Sequence, residues 1–208
     1  MRLILARHGE TDYNREWRFQ GHSDLGLNRV GRWQAGRLRK RLYREPIAVI
    51  YTSNLKRAVE TAEIIAQGRG LRIVTSENLA EIDFGKFEGL THDEIVKSYP
   101  DWEPSDFSFT AYGGESLEQL ARRIRAFAKE LRSGNPADAN ILIVAHSGSL
   151  CVLLCLLLGI DIESWWRFRF APASLTIVED VEREPVLTLL NDVSHLKIPG
   201  ASRKGNPG

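Results

Sequence analysis

Two apolar runs in this chain end in histidine. Leu3-Ile4-Leu5-Ala6 leads into Arg7-His8-Gly9-Glu10-Thr11, and Ile141-Leu142-Ile143-Val144-Ala145 leads into His146-Ser147-Gly148. A third run, Ala48-Val49-Ile50-Tyr51, ends just before Ser53, and Arg57 then falls in the first turn of a predicted helix. In an open α/β sheet, ligands bind outside the carboxyl ends of the strands. If these runs are parallel strands, Arg7, His8, Arg57 and His146 meet on one rim. That set suits a doubly charged phosphoryl group. Guanidinium forks match its oxygens bidentately and keep their charge at any working pH. A neutral imidazole can attack phosphorus. A second imidazole that donates a hydrogen bond stabilises the equatorial oxygens in the transition state. The glycines after both histidines are expected to let backbone N–H groups approach a ligand closely. The leaving oxygen also needs an acid. Glu81 and Asp83 both lie in the right region, and spacing does not choose between them.

The elements that must position these side chains alternate strand-like and helix-like. Strands are predicted at 3–6, 48–51, 71–74 and 141–145, with a closing pair at 175–179 and 186–190. Helical periodicity covers 30–42, 55–66 and, most regularly, the stripe Leu117, Leu120, Ala121, Ile124, Phe127, Ala128 and Leu131. The basic run Arg37, Arg39, Lys40, Arg41 and Arg44 reads as a solvated helix face. Ser53 is a candidate N-cap, and Ser116 with Gln119 a candidate capping box. This alternation indicates an α/β fold with a largely parallel, buried sheet. The connection from 77 to 114, with one helix near 93–99, is long enough to be a functional lid or binding loop. Its aromatics Trp102, Phe107, Phe109 and Tyr112 either roof the pocket or pack the loop onto the body.

Composition removes several function classes. A chain of 208 residues with 43% hydrophobic and 26% charged residues is globular, not disordered or fibrous. Lys and Arg total 28 against 27 Asp and Glu, so no global surplus argues for nucleic-acid or membrane-surface binding. The longest apolar run, 150–158, falls well short of the ~20 residues of a membrane span. The first residues do not read as a secretory leader, because Arg7 follows only four apolar residues. Cys151 and Cys155 read as buried thiols on one helix face in a reducing, cytoplasmic compartment. His22, His92 and His195 are expected on the surface or in loops. No histidine spacing resembles a zinc site, so no metal is expected.

Arg7-His8-Gly9-Glu10-Thr11, with Asn14 and Arg18-Phe19-Gln20-Gly21 behind it, resembles the opening motif of the histidine phosphatase superfamily, phosphoglycerate-mutase-like branch. Ser53-Asn54-Leu55-Lys56-Arg57-Ala58 with Thr61-Ala62 resembles its second motif. Leu79-Ala80-Glu81-Ile82-Asp83-Phe84-Gly85 with Glu88-Gly89 resembles its third, and Val144-Ala145-His146-Ser147-Gly148 its fourth. The motifs come in family order across almost the whole chain.

The resemblance implies an α/β three-layer sandwich and a single domain over 1–197 with a cap-like insertion at about 90–114; the tail at 198–208, rich in Gly, Pro and basic residues, reads as flexible. It implies His8 as the nucleophile that becomes phosphohistidine. Arg7, Arg57 and His146 would line the phosphate pocket, and Glu81 would be the proton donor. Asn14, Gln20, the backbone at Gly21, and Ser147 would complete it. The partner would be a small phosphorylated metabolite, with no cofactor; a homodimer is left open. The cofactor-dependent mutases carry an Arg-His-Tyr-Gly run after the acid, where this chain has Ile82-Asp83-Phe84-Gly85. It therefore looks like a phosphatase. Gly113-Gly114-Glu115-Ser116 and the segments 174–179 and 190–196 resemble the bacterial α-ribazole phosphatases, which brings in α-ribazole 5′-phosphate as a substrate. The alternatives are a broad-specificity phosphatase, a mutase, or an inactive phosphate-binding scaffold. Inactive members usually lose the nucleophile, an arginine or the acid, and this chain keeps all of them.

Overall fold

Side chains alternate across β1 (Arg2–Arg7): Leu3 and Leu5 join one apolar cluster, Ile4 and Ala6 another. A strand buried on both faces needs helices on both sides, which is why its sequence reads as a continuous apolar run. In the computed structural model, which describes residues 1–103, 108–181 and 183–197, β1 lies inside a six-stranded sheet. The other strands are β2 (Val49–Ser53), β3 (Arg72–Ser76), β4 (Asn140–Ala145), β5 (Leu175–Glu179) and β6 (Val186–Asp192). Their order is β3-β2-β4-β1-β5-β6. The first four strands run parallel; β5 is antiparallel to β1, and β6 to β5.

A short helix, α1 (Asp12–Arg15), follows β1 in what the sequence suggests is a polar loop. Thr11 and Asn14 close it with a reciprocal capping box. Helices α2 (Arg29–Leu42) and α3 (Lys56–Ala66) cover the Ile4 face of the sheet through Leu38, Leu42, Ala58, Ala62 and Ile65. After α4 (His92–Ser98), the long helix α5 (Leu117–Gly134) and α6 (Ser147–Leu158) cover the Leu3 face. The expected stripe of α5 is the buried one, and Ser116 with Gln119 forms its capping box. The three-layer α/β sandwich is thus the observed architecture.

Two expectations change, and one left open is decided. Ser53 does not cap α3: its Oγ accepts the Leu55 N–H at 3.2 Å, while Asp24 Oδ1 takes the Lys56 N–H at 2.7 Å. A residue remote in sequence has taken over the capping function. His195 is buried rather than exposed, with Nε2 3.0 Å from the Ala173 carbonyl. The long connection packs onto the body: Phe87 is surrounded by Trp102, Phe109 and Tyr112 at centroid distances of 5.2, 5.8 and 4.5 Å. Trp102 and Phe109 are core residues, so they do not roof the pocket. Phe107 and the tail at 198–208 lie outside the described residues.

Candidate active site

The register of β1 against β4 aligns Arg7 with Ala145, so the residues that follow, His8 and His146, emerge side by side. Their ring centroids are 5.1 Å apart. The bonds to each ring assign opposite tautomers. His8 Nδ1–H donates to the Gly9 carbonyl at 2.7 Å, leaving the lone pair on Nε2. Arg57 Nε–H donates to His146 Nδ1 at 3.2 Å, which puts the His146 proton on Nε2. That Nε2 is buried without a partner among the described residues. Burial, then the charges of Arg57 and Arg7, push His8 well below the usual imidazole range. Burial, then Arg57, does the same to His146. Both rings are therefore neutral at pH 7.

Two cations flank them, one fully buried and one half-buried. Arg57 is fully buried at the start of α3, with Nη1 and Nη2 donating to the carbonyls of Ser23 and Gly21 at 2.8 and 2.7 Å. Burial pulls its pKa to about 10, Glu81 opposing the shift and Arg7 adding to it. Arg7 Nη1 donates to the Phe170 carbonyl at 2.7 Å, and its buried Nε has no partner among the described residues. At neutral pH both guanidiniums stay charged, and Glu81 is the carboxylate that acts on both. The local field therefore favours an anion.

Glu81 lies at the start of α6. Its Oε1 accepts from the Ile82 and Ser149 N–H groups and its Oε2 from that of Gly148, each at 3.1 Å. Helix N-termini attract carboxylates in this way. The loop below it is tied down by Arg123, which donates to the carbonyls of Asn78, Ala80 and Glu81 and pairs with Glu115 at 2.9 Å. His22 adds a contact from Nε2 to the Glu81 carbonyl at 2.9 Å. The other two carboxylates nearby are engaged elsewhere. Asp83 accepts the Gly85 N–H, and Glu88 holds the His22 N–H and the Ser23 hydroxyl.

The glycines after the histidines serve the protein rather than a ligand. A Cβ on Gly9 would lie 2.5 Å from the Gly31 carbonyl, and the Gly9 N–H donates to Thr61 Oγ1. A Cβ on Gly148 would lie 2.6 Å from Glu81 Oε1. These glycines admit α2 and Glu81, contacts that no local pattern announces.

Together these groups border a cavity of about 470 Å³. It is lined by Arg7, His8, Asn14, Gln20, Gly21, Arg57, Glu81 and Ser147, so the structure brings together all but one of the residues named from sequence. The exception is His146, which is fully buried beside the His8 ring and is not part of the lining. The lining residues that sequence reasoning missed are largely aromatic: Tyr13, Trp17, Phe19 and Phe84. Three of them are interleaved with the first motif, a signal present in the sequence. Among the described residues, no three His, Cys, Asp or Glu side chains are grouped to hold a metal, and no helix is long and apolar enough to cross a membrane. Cys151, behind the site, is pushed up to about 12 by burial and then by Glu81, which makes it an inert thiol.

The phosphoserine phosphatase 1 of Hydrogenobacter thermophilus is 34% identical to this chain over 200 residues, with 94% of each chain covered. A probable phosphoglycerate mutase of Yersinia enterocolitica is 34% identical over 209 residues, with 96% of each covered. The crystal structure of the α-ribazole phosphatase from Shigella flexneri superimposes with a TM-score of 0.83 at 29% identity, over 92% of this chain and 96% of that one. Residues 3–193 match the profile of the histidine phosphatase superfamily, branch 1. The chain is an enzyme of that superfamily.

Proposed function

We propose that this protein is a metal-independent phosphomonoesterase that works through a phosphohistidine on His8. The observation that carries the reading is the pair of neutral imidazoles with opposite tautomers, set between the guanidiniums of Arg7 and Arg57. In the first step the Nε2 lone pair of His8 attacks phosphorus. The P–O bond breaks, and the departing oxygen keeps the electron pair and takes a proton from the Glu81 carboxyl. Arg7 and Arg57 balance the charge on the phosphoryl oxygens, and His146 Nε2–H donates to one of them. Asn14, Gln20, the backbone at Gly21, and Ser147 hold the group in line. In the second step water attacks phosphorus and gives its proton to Glu81. The N–P bond breaks, its electron pair returns to Nε2, and inorganic phosphate leaves.

The substrate class is a small phosphorylated metabolite, with α-ribazole 5′-phosphate as the first candidate. Two buried free thiols suit a reducing, cytoplasmic setting. The mutase reading has one observation in its favour, the likeness to the Yersinia protein. Against it stands Ile82-Asp83-Phe84-Gly85 in place of the mutase run. The test is phosphate release from α-ribazole 5′-phosphate, phosphoserine and 3-phosphoglycerate, the last primed with 2,3-bisphosphoglycerate. Net phosphate release supports a phosphatase. Rapid isomerisation of phosphoglycerate without release would establish a mutase.

A further inference from the structure

We infer that the outer part of the cavity is built for an uncharged, planar aromatic leaving group, with Trp17 as its stacking surface. This rests on the phosphatase reading above. Trp17 is 85% exposed, yet it lines the same cavity as His8. Its φ is 58°, in the left-handed region where a bulky side chain is disfavoured. The turn that imposes this backbone follows α1, where the Trp17 N–H reaches the Asn14 carbonyl. No ring packs against the indole among the described residues. No ring contact among the described residues accounts for a strained backbone that presents a large apolar ring to solvent at a cavity mouth. Strain of this kind gathers at ligand clamps.

The surroundings narrow the ligand class. Phe84, also on the lining, is fixed edge-on between Phe19 and Phe109, with both centroid distances 4.9 Å. It therefore forms a rigid wall. Arg18, the remaining lining cation, is already shared between Glu16, Glu94 and the Gly89 carbonyl. Glu10 accepts from Asn28. A leaving group bearing a carboxylate would meet no uncommitted cation among the described lining residues beyond Arg7 and Arg57, which the phosphoryl group claims. A flat uncharged ring would gain stacking against the indole and the phenyl wall.

The test compares 1-naphthylmethyl phosphate with n-butyl phosphate. Both release alkoxides, so they make similar demands on the acid and differ in the ring. Trp17→Gly removes the indole and keeps a backbone free of strain at positive φ; Trp17→Phe keeps a ring. The wild-type enzyme is expected to favour the naphthylmethyl ester in kcat/KM by about tenfold, mostly through KM. Trp17→Gly should reduce that ratio about tenfold, and Trp17→Phe should retain most of it. A wild-type ratio near one, a ratio unchanged in Trp17→Gly, or faster turnover of phosphoserine than of the naphthylmethyl ester would overturn the proposal. Those failures differ from failure of the underlying reading, which would show as no phosphate release from any ester, or as turnover by His8→Ala.

Discussion

Arg57 donates its Nε–H to Nδ1 of His146 across 3.2 Å, and so decides which imidazole nitrogen carries the proton. The same guanidinium grips the Gly21 and Ser23 carbonyls, so it also holds the loop that borders the phosphoryl site. Arg57→Ala should lower kcat/KM by at least ~100-fold, comparable to loss of a preorganised oxyanion donor. Arg57→Lys should recover only part, because one ammonium cannot serve three planar contacts. Near-normal steady-state kinetics in both variants would remove Arg57 from the site.

The histidines set a pH signature. Burial and two arginines hold His8 well below its ordinary value, so it stays neutral as pH falls from 7.5 to 6. An unshifted histidine would be about three-quarters protonated at pH 6. After correction for the second ionisation of the substrate near ~6, kcat/KM should hold across this range; a fall with midpoint near ~6.5 would refute the shift. Stability moves the other way. Folded-state values for His8 and His146 lie below the unfolded value, so the unfolded chain takes up protons first. Their contribution is full above ~6.5 and is lost as pH falls through the depressed values. Tm of the ligand-free enzyme should drop between pH 7 and pH 5.

Glu81 can be tested through the leaving group. A general acid contributes ~10²–10⁴-fold where the departing oxygen needs a proton. Glu81→Gln should slow alkyl phosphates by that order and p-nitrophenyl phosphate far less. Equal losses on both would mean that Glu81 only shapes the pocket. An unaffected alkyl rate would move the acid elsewhere, although Asp83 and Glu88 are already engaged in backbone and hydroxyl bonds.

How far the sequence carries depends on whether a contact is local. The two histidine-ended apolar runs announce β1, β4 and their shared rim, because strand patterning is a short-range signal. The stripe of α5 with Ser116 and Gln119 is legible for the same reason. What stays hidden depends on partners distant in the chain. Asp24 caps α3 in place of Ser53, and Gly9 makes room for Gly31 rather than for a ligand. Sequence leaves Trp102 and Phe109 open between roofing the pocket and packing the loop, and Phe87 gathers them inward. His195 looks like a loop residue until the Ala173 carbonyl claims its ring.

Arg123 offers a test of positioning at a distance. Its bonds to three carbonyls of the Glu81 loop and to Glu115 place it beneath the acid. Burial raises the Glu115 carboxyl, but the bond and charge from Arg123 outweigh this and hold it below its ordinary range. Arg123→Met should destabilise the fold by about 2–3 kcal/mol by stranding Glu115, the range discounted for partial exposure. It should also slow alkyl phosphates more than p-nitrophenyl phosphate. Adding Glu115→Gln should restore stability without restoring that ratio. A substrate-independent loss would make Arg123 purely structural.

The most direct test of the phosphohistidine account is to trap the intermediate. Enzyme mixed with ³²P-labelled substrate, denatured rapidly and kept alkaline, should carry one labile phosphoryl group on His8, as read by peptide mass spectrometry. The label should vanish in acid, persist in EDTA-treated enzyme, and be absent from His8→Ala. Turnover with no label on His8, or label on another residue, would contradict the account.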